Sequence, residues 1–356
     1  MTYKNSNDTP GRAGILPADP CSDSDEAGWK PALPGIFKRG FMPDVVSIGL
    51  LVADIIAGPI TAYPETGKLA LVENMELHTG GCAVNTGIAL AKLSVATSVI
   101  GKVGQDAFGH FIMDRLRSHG VATDGIKQVP RAKTSATMVM VNQAKERSFI
   151  HYAGANTELQ PYDLDFAFIQ SHKLLHMGGA LLMPKLDGEP AAALLKRARA
   201  AGMKTSVDTV WDPTGRWLDV LAPCLPHIDY FLPSLAEARC LSGRQSPEDV
   251  ADFFLGRGVG VVGLKMGGEG SYIKDTNVAF HLPALSVSVL DTTGAGDGYV
   301  AGFLLGALRG WDLERIGRFA TAVGACCVSA IGATAGLRDY EQIERMLDHY
   351  SGGTQK

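Results

Sequence analysis

The sequence predicts an α/β fold: a central, mostly parallel sheet with helices on both faces, three layers in all, plus a small β-sheet lid. Three observations lead there. From Val45 onward, short apolar runs alternate with amphipathic stretches, the pattern of parallel strands joined by covering helices. Two segments, 57–77 and 135–152, break that alternation and read as antiparallel strands too short to form a core alone. At 356 residues, 46% apolar and 20% charged, the chain has the material for one large domain with a small appendage.

Taken in order, residues 1–41 are rich in Pro, Gly, Asp and Ser without a sustained period, and are expected to be a disordered extension. They lack a charged segment running into an apolar one, so they do not read as a signal peptide. Met42 precedes the first strand and offers a second place for the functional protein to begin. The folded domain is expected over 42–349, with the lid at about 56–78 and 134–153 and a flexible tail at 350–356. Apolar runs predict strands at 45–51, 96–100, 173–177, 204–208, 229–232 and 259–265. Helical periodicity predicts helices at 82–93, 106–118, 188–201, 247–257, 296–309, 312–330 and 339–348. The uncharged stretch 321–336, made largely of small residues, reads as a closely packed buried helix. The second lid segment turns around 142–146.

Composition excludes several classes. A net charge of −4, with no basic stripe interleaved with aromatics, argues against nucleic acid as a partner. The apolar run 45–60 is broken by Asp54, Gly58 and Pro59 and falls short of the roughly 20 residues a membrane span needs. Six cysteines at 21, 82, 224, 240, 326 and 327 form no C-x-x-C pair and read as thiols of a reducing compartment, so a cytoplasmic protein is expected.

The most informative segment is Asp291-Thr292-Thr293-Gly294-Ala295-Gly296-Asp297, set between an apolar run ending at Leu290 and another beginning at Tyr299. Small residues at a helix N-terminus turn backbone N–H groups outward and make an anion hole, to which the helix dipole adds positive charge. A carboxylate among those amides is kept ionised and can take a proton. Anion hole plus base suggests phosphoryl transfer to a hydroxyl; the plainer alternative is a Gly-rich turn with an N-capping Asp.

Three further places could bind ligands. Gly80 and Gly81 lead into a helix carrying Asn85, an arrangement suited to a polyol or to an ordinary helix start. Asp54 is expected to close the first strand, where a carboxylate either grips two sugar hydroxyls or is a solvated turn residue. Lys265, Gly267 and Gly270 end a buried strand in a Gly-rich turn that could lie against a nucleotide or be a simple hairpin. His172 and His176, four apart, lack the zinc-protease glutamate between them. Asp208 to Pro213 follows a strand and could border a cleft. Arg147, on the lid, either touches substrate or guards an edge strand.

The front Gly80-Gly81-x-x-x-Asn85 block and the rear Asp291–Asp297 block, far apart and in this order, resemble the ribokinase-like (PfkB) carbohydrate kinase family over about residues 43–345. The resemblance implies a ribokinase-like fold and an ATP-dependent kinase acting on a hydroxymethyl group. Asp297 would be the base, with the amides of Gly294, Ala295 and Gly296 as the anion hole. Asp54, Gly80, Gly81 and Asn85 would hold the sugar, while Lys265, Gly267, Gly270 and Glu237 would serve the nucleotide. Mg2+ is expected with ATP, and a monovalent cation, K+, beside the anion hole. Asp291 and Thr293 would help hold it, with carbonyls from around 329–333. Gly154-Ala155-Asn156 also fits the family. One departure stands out: the family's Asn-x-x-Glu is Ser234-Leu235-Ala236-Glu237 here.

The leading expectation is therefore a ribokinase- or fructokinase-like sugar kinase. A nucleoside (adenosine-like) kinase of the same family and a non-catalytic sugar or nucleotide sensor on the same fold remain alternatives; Ser234 is the one hint towards the sensor. A homodimer through the lid is possible, since lid strands present an edge, and no membrane partner is expected.

Overall fold

The computed structural model describes residues 43–143 and 147–352; the expected N-terminal extension, the Met42 start, residues 144–146 of the lid turn and the end of the tail lie outside them. Among the described residues, thirteen strands form two sheets. They are β1 (Val45–Gly49), β2 (Val52–Ile60), β3 (Asn74–Gly80), β4 (Thr97–Gly104), β5 (Ala122–Val129), β6 (Ser135–Asn142), β7 (Arg147–Tyr152), β8 (Leu174–Ala180), β9 (Lys204–Thr209), β10 (Tyr230–Phe231), β11 (Val261–Lys265), β12 (Ser271–Lys274) and β13 (Ala279–Leu282). The helices are α1 (Cys82–Lys92), α2 (Ala107–Ser118), α3 (Phe166–Ile169), α4 (Glu189–Ala200), α5 (Leu218–Leu221), α6 (Leu235–Ser242), α7 (Pro247–Leu255), α8 (Ala295–Leu308), α9 (Leu313–Cys327) and α10 (Tyr340–Gly352).

The large sheet runs β13-β12-β11-β10-β9-β8-β1-β4-β5, parallel except where β12 and β13 pair antiparallel at one edge. Its inner strands, such as β1, β4 and β8, are buried on both faces, so side chains alternate between two cores. In β1, Val46 and Ile48 belong to the core that α4 and α7 cover, while Val45 belongs to the core of α1, α8 and α9. The continuous apolar run of α8 has the same cause: the helix lies against both α1 and α9, and Gly298 to Gly306 are all buried. The small sheet runs β3-β2-β6-β7, with β2 and β6 parallel and the outer pairs antiparallel. Among the described residues no helix is long and apolar enough to cross a membrane.

The structure corrects the sequence reading in several places. The first strand ends at Gly49, and Asp54 is the third residue of β2, in the small sheet. The break has a visible cause: the buried side chain of Asn156 bonds both the N–H and the C=O of Leu51 at 3.1 Å, taking that peptide out of any strand ladder. Gly154-Ala155-Asn156 is thus a strap between the two sheets. Helix α9 stops at Cys327, and the rest of the expected buried helix, 328–336, is a loop laid against residues 291–294. Helices α3, α5 and α6 and strands β5, β12 and β13 lie outside the elements that the sequence predicts. Helix α6 starts from a reciprocal cap, in which Ser234 Oγ accepts from Glu237 N–H and Glu237 Oε2 accepts from Ser234 N–H. The Ser-x-x-Glu signature for that cap was present in the sequence. The strands β5 and β13 lie at the sheet's edges, half exposed, and lack a clean apolar period.

Candidate active site

The site forms where the N-termini of α1 and α8 meet. Gly294 caps α8 in the left-handed conformation (φ 75°), and a Cβ there would lie 2.3 Å from Ala333 O, so both backbone angle and space require glycine. The residues that follow, Ala295, Gly296 and Asp297, form the first turn of α8, where N–H groups lack helical partners. Because α1 packs on α8, Asn85 Nδ2 donates to Asp297 Oδ2 at 2.9 Å. Among the described residues Asn85 Oδ1 is buried with no hydrogen-bond partner, an acceptor open to a ligand's hydroxyl. Burial pushes the Asp297 carboxyl above the usual range, while Asn85, Lys265 and Cys82 favour its charged form.

Asp54 enters from the small sheet. It pairs in register with His78 and Thr137, and Thr137 with His151, so these four side chains share the face of the sheet turned to α8. Gly80 is needed for close approach: a Cβ there would lie 2.1 Å from Asp54 Oδ2. Burial raises the Asp54 pKa to about 6, offset in part by a hydrogen bond from Thr137 and reinforced by the charge of Asp297.

On the other side of Asp297, Lys265 Nζ donates to both carboxylate oxygens of Asp208 at 2.7 Å and would lie 3.3 Å from a Cβ on Gly296. Lys265 therefore reaches the anion hole while still lining, beside the glycine turn, the cleft described below. Burial alone would lower its pKa, but Asp208 and Glu237 hold it above the usual value. Burial pushes Asp208 to about 7, with Glu237 and Asp297 adding to the rise. Three carboxylates thus face one ammonium, a surplus of negative charge inside the cleft. Cys82, Asp208 and Asp297 lie close enough to hold a metal, but burial keeps the Cys82 thiol protonated and Asp208 is already paired with Lys265. Gly267 and Gly270 do line a cleft of about 570 Å³ with Ala295, Gly296, Thr321 and Gly324.

Comparison with known proteins accounts for this arrangement. Residues 42–339 match the pfkB family carbohydrate kinases. The chain belongs to that family. It is 29% identical over 250 residues to an uncharacterized sugar kinase of Archaeoglobus fulgidus, covering 70% of this chain and 98% of that one. A 2-dehydro-3-deoxygluconokinase of Bacillus subtilis is 28% identical over 298 residues, covering 80% of this chain and 90% of its own. The solved ribokinase of Arabidopsis thaliana, complexed with ribose and ATP, superposes with a TM-score of 0.76 at 25% identity, covering 86% of this chain and 99% of that one. The fold is ribokinase-like, and the protein is an ATP-dependent carbohydrate kinase.

Against the expected site of this carbohydrate kinase, the structure gathers Asp297, Gly294, Ala295, Gly296, Asn85, Gly80, Gly81 and Asp54 around one point, and adds Lys265 to them. Ser234 is drawn away: its hydroxyl caps α6, and Glu237 Oε2 is bonded by Ser234 N–H and Thr209 Oγ1. Asp291 and Thr293, expected to help hold a monovalent cation, are instead both bonded by the guanidinium of Arg147. As placed, these residues do not fit an added cation. Asp208 and Arg147 are readable in the sequence only as a residue that could border a cleft and a charge on the lid; their pairing with Lys265 and with Asp291 is not readable there.

Proposed function

We propose that this carbohydrate kinase transfers the γ-phosphoryl group of ATP to a hydroxymethyl group of a small sugar or related polyol. The observation that carries this reading is the Asn85–Asp297 pair at the open N-terminus of α8, with Asp54 facing it from the small sheet. The acceptor hydroxyl loses its proton to Asp297, its oxygen bonds to the γ-phosphorus, and the bond to the β–γ bridging oxygen breaks, leaving ADP with the electron pair. Burial makes Asp297 a stronger base than a solvated carboxylate. The amides of Gly294, Ala295 and Gly296 and the ammonium of Lys265 stabilise the charge on the transferring group. Asp54, Gly80, Gly81 and Asn85 hold and orient the sugar, and Gly267 and Gly270 let the nucleotide lie along its cleft.

Mg2+ enters with ATP. The cluster of Asp208, Glu237 and Asp297 carboxyls around one ammonium would suit a divalent ion, and Glu237 and Asp208 would be the residues to hold it. When bound, it neutralises phosphate charge. The small sheet acts as a lid that keeps water from the donor. Its outward face carries exposed Met75, Leu77, Met138, Ile150 and Tyr152, which supports a homodimer through the lid. Ser234 gives no support to a sensor, because its hydroxyl is accounted for as a helix cap.

The test is formation of a phosphorylated product, followed by phosphorus NMR with Mg-ATP, across ribose, fructose, 2-keto-3-deoxygluconate, adenosine and inositols. One sugar standing above the rest is the expected result. A preference for adenosine would favour the nucleoside kinase, and silence with ATP binding intact would favour the sensor.

A further inference from the structure

Arg147 opens β7, pairs with Val141, and by strand alternation lies on the same face as Val139, Thr137 and Asp54. From there its guanidinium crosses to the loop ahead of α8: Nη2 donates to Asp291 Oδ1 and Nη1 to Thr293 Oγ1. Asp291 is otherwise fully engaged. Its Oδ1 also accepts the Thr293 N–H at 2.6 Å, and its Oδ2 accepts the Gly332 N–H at 2.8 Å. Those contacts tie the anion-hole loop both to 329–333 and to the small sheet. The site is shielded, with the side chains of Arg147 and Asp291 only 16% and 3% exposed. Salt screens such a pair poorly.

A guanidinium does not lose its proton in a protein, so this charge is permanent, and its planar fork suits a carboxylate and a hydroxyl side by side. A monovalent ion held by Asp291 and Thr293 would need the same oxygens and would lie beside a like charge. We propose that Arg147 is the built-in cation of the anion-hole loop, holding Asp291 and Thr293 in place so that this kinase works without potassium. Arg147 is a positioning residue: it acts on the reaction through Asp291 and Thr293. Because it rides on the small sheet, the charge is in place only while that sheet is docked, which couples the lid to the anion hole.

The inference rests on the kinase reading and is tested with readouts that separate the two. The full chain is exchanged into tetramethylammonium chloride and compared with potassium chloride at equal ionic strength. The wild type is expected to show the same turnover, the same melting temperature and no thallium(I) binding by thallium NMR. Arg147→Met is expected to lose turnover by about 10- to 100-fold in tetramethylammonium. It should recover part of that loss in potassium, with a melting temperature that now rises with potassium. Arg147→Lys keeps the charge but not the fork, so its turnover should fall between those of the wild type and Arg147→Met and stay independent of potassium. Potassium activation or thallium binding in the wild type would overturn the proposal, as would a potassium requirement in Arg147→Lys or an Arg147→Met protein as active in tetramethylammonium as the wild type. If no acceptor is phosphorylated, the kinase reading fails by itself, while melting and thallium binding still decide the cation question.

Discussion

The loop ahead of α8 and the small sheet each deliver a buried carboxylate to the proposed acceptor site, by different means. Asp297 is placed by its immediate neighbours: Gly294 turns the chain, α8 begins, and Asp297 falls in the first turn. Asp54 is placed by register, through pairing with His78 on β3 and Thr137 on β6. Both pKa values are pushed up by burial, yet the opposing groups differ. Asp297 is countered by Asn85 and Lys265, which belong to the large domain, whereas Asp54 is countered by Thr137 and His78 of its own sheet. The difference teaches that the chemical step is coded locally and acceptor recognition through long-range pairing. A strand slip by one residue would turn Asp54 to the outer face and leave Asp297 untouched.

Substitutions can break or sharpen that contrast. The largest effect belongs to Asp297→Asn, where turnover should fall by about 10³-fold with both substrates still bound. Gly294→Ala attacks the same loop through its backbone. The added Cβ meets Ala333 O, so melting should show a loss of about 1–3 kcal/mol, and kcat should drop as the amides move. On the register side, Asp54→Asn should raise the acceptor KM by about tenfold while changing kcat and the ATP KM little. The wild type should also bind acceptor more weakly as pH falls through about 6, because Asp54 then takes up a proton and can no longer receive two hydroxyl donors. In Asp54→Asn that acid limb should vanish; its persistence would move the titration to another group. The smallest effect is expected for Ser234→Ala, a lost helix cap worth about 1 kcal/mol in denaturant unfolding with activity nearly unchanged.

The same contrast explains what the sequence revealed. The parallel core was legible because strands buried on both faces are continuous apolar runs, as at Val261 to Leu264. The loop at 291–297 was legible because glycines and a terminal carboxylate occupy consecutive positions. The true position of Asp54 was not, since the break at Leu51 depends on Asn156, far along the chain. The same holds for Lys265, whose ammonium turns to Asp208 rather than to its own glycine turn, and for Arg147, whose partners Asp291 and Thr293 belong to the other sheet's domain. Ser234 differs from these: its cap signature is local and readable in the sequence, and its hydroxyl serves helix α6 and not a ligand.

The central claim is that Asp297 takes the acceptor's proton within the anion hole. It is tested most directly by single-turnover ADP formation in Asp297→Asn, with ATP and acceptor affinities measured by calorimetry on the same protein. The account predicts affinities within a few-fold of wild type and a chemical step slower by about 10³-fold. A chemical step near the wild-type rate, with both substrates bound, would contradict it.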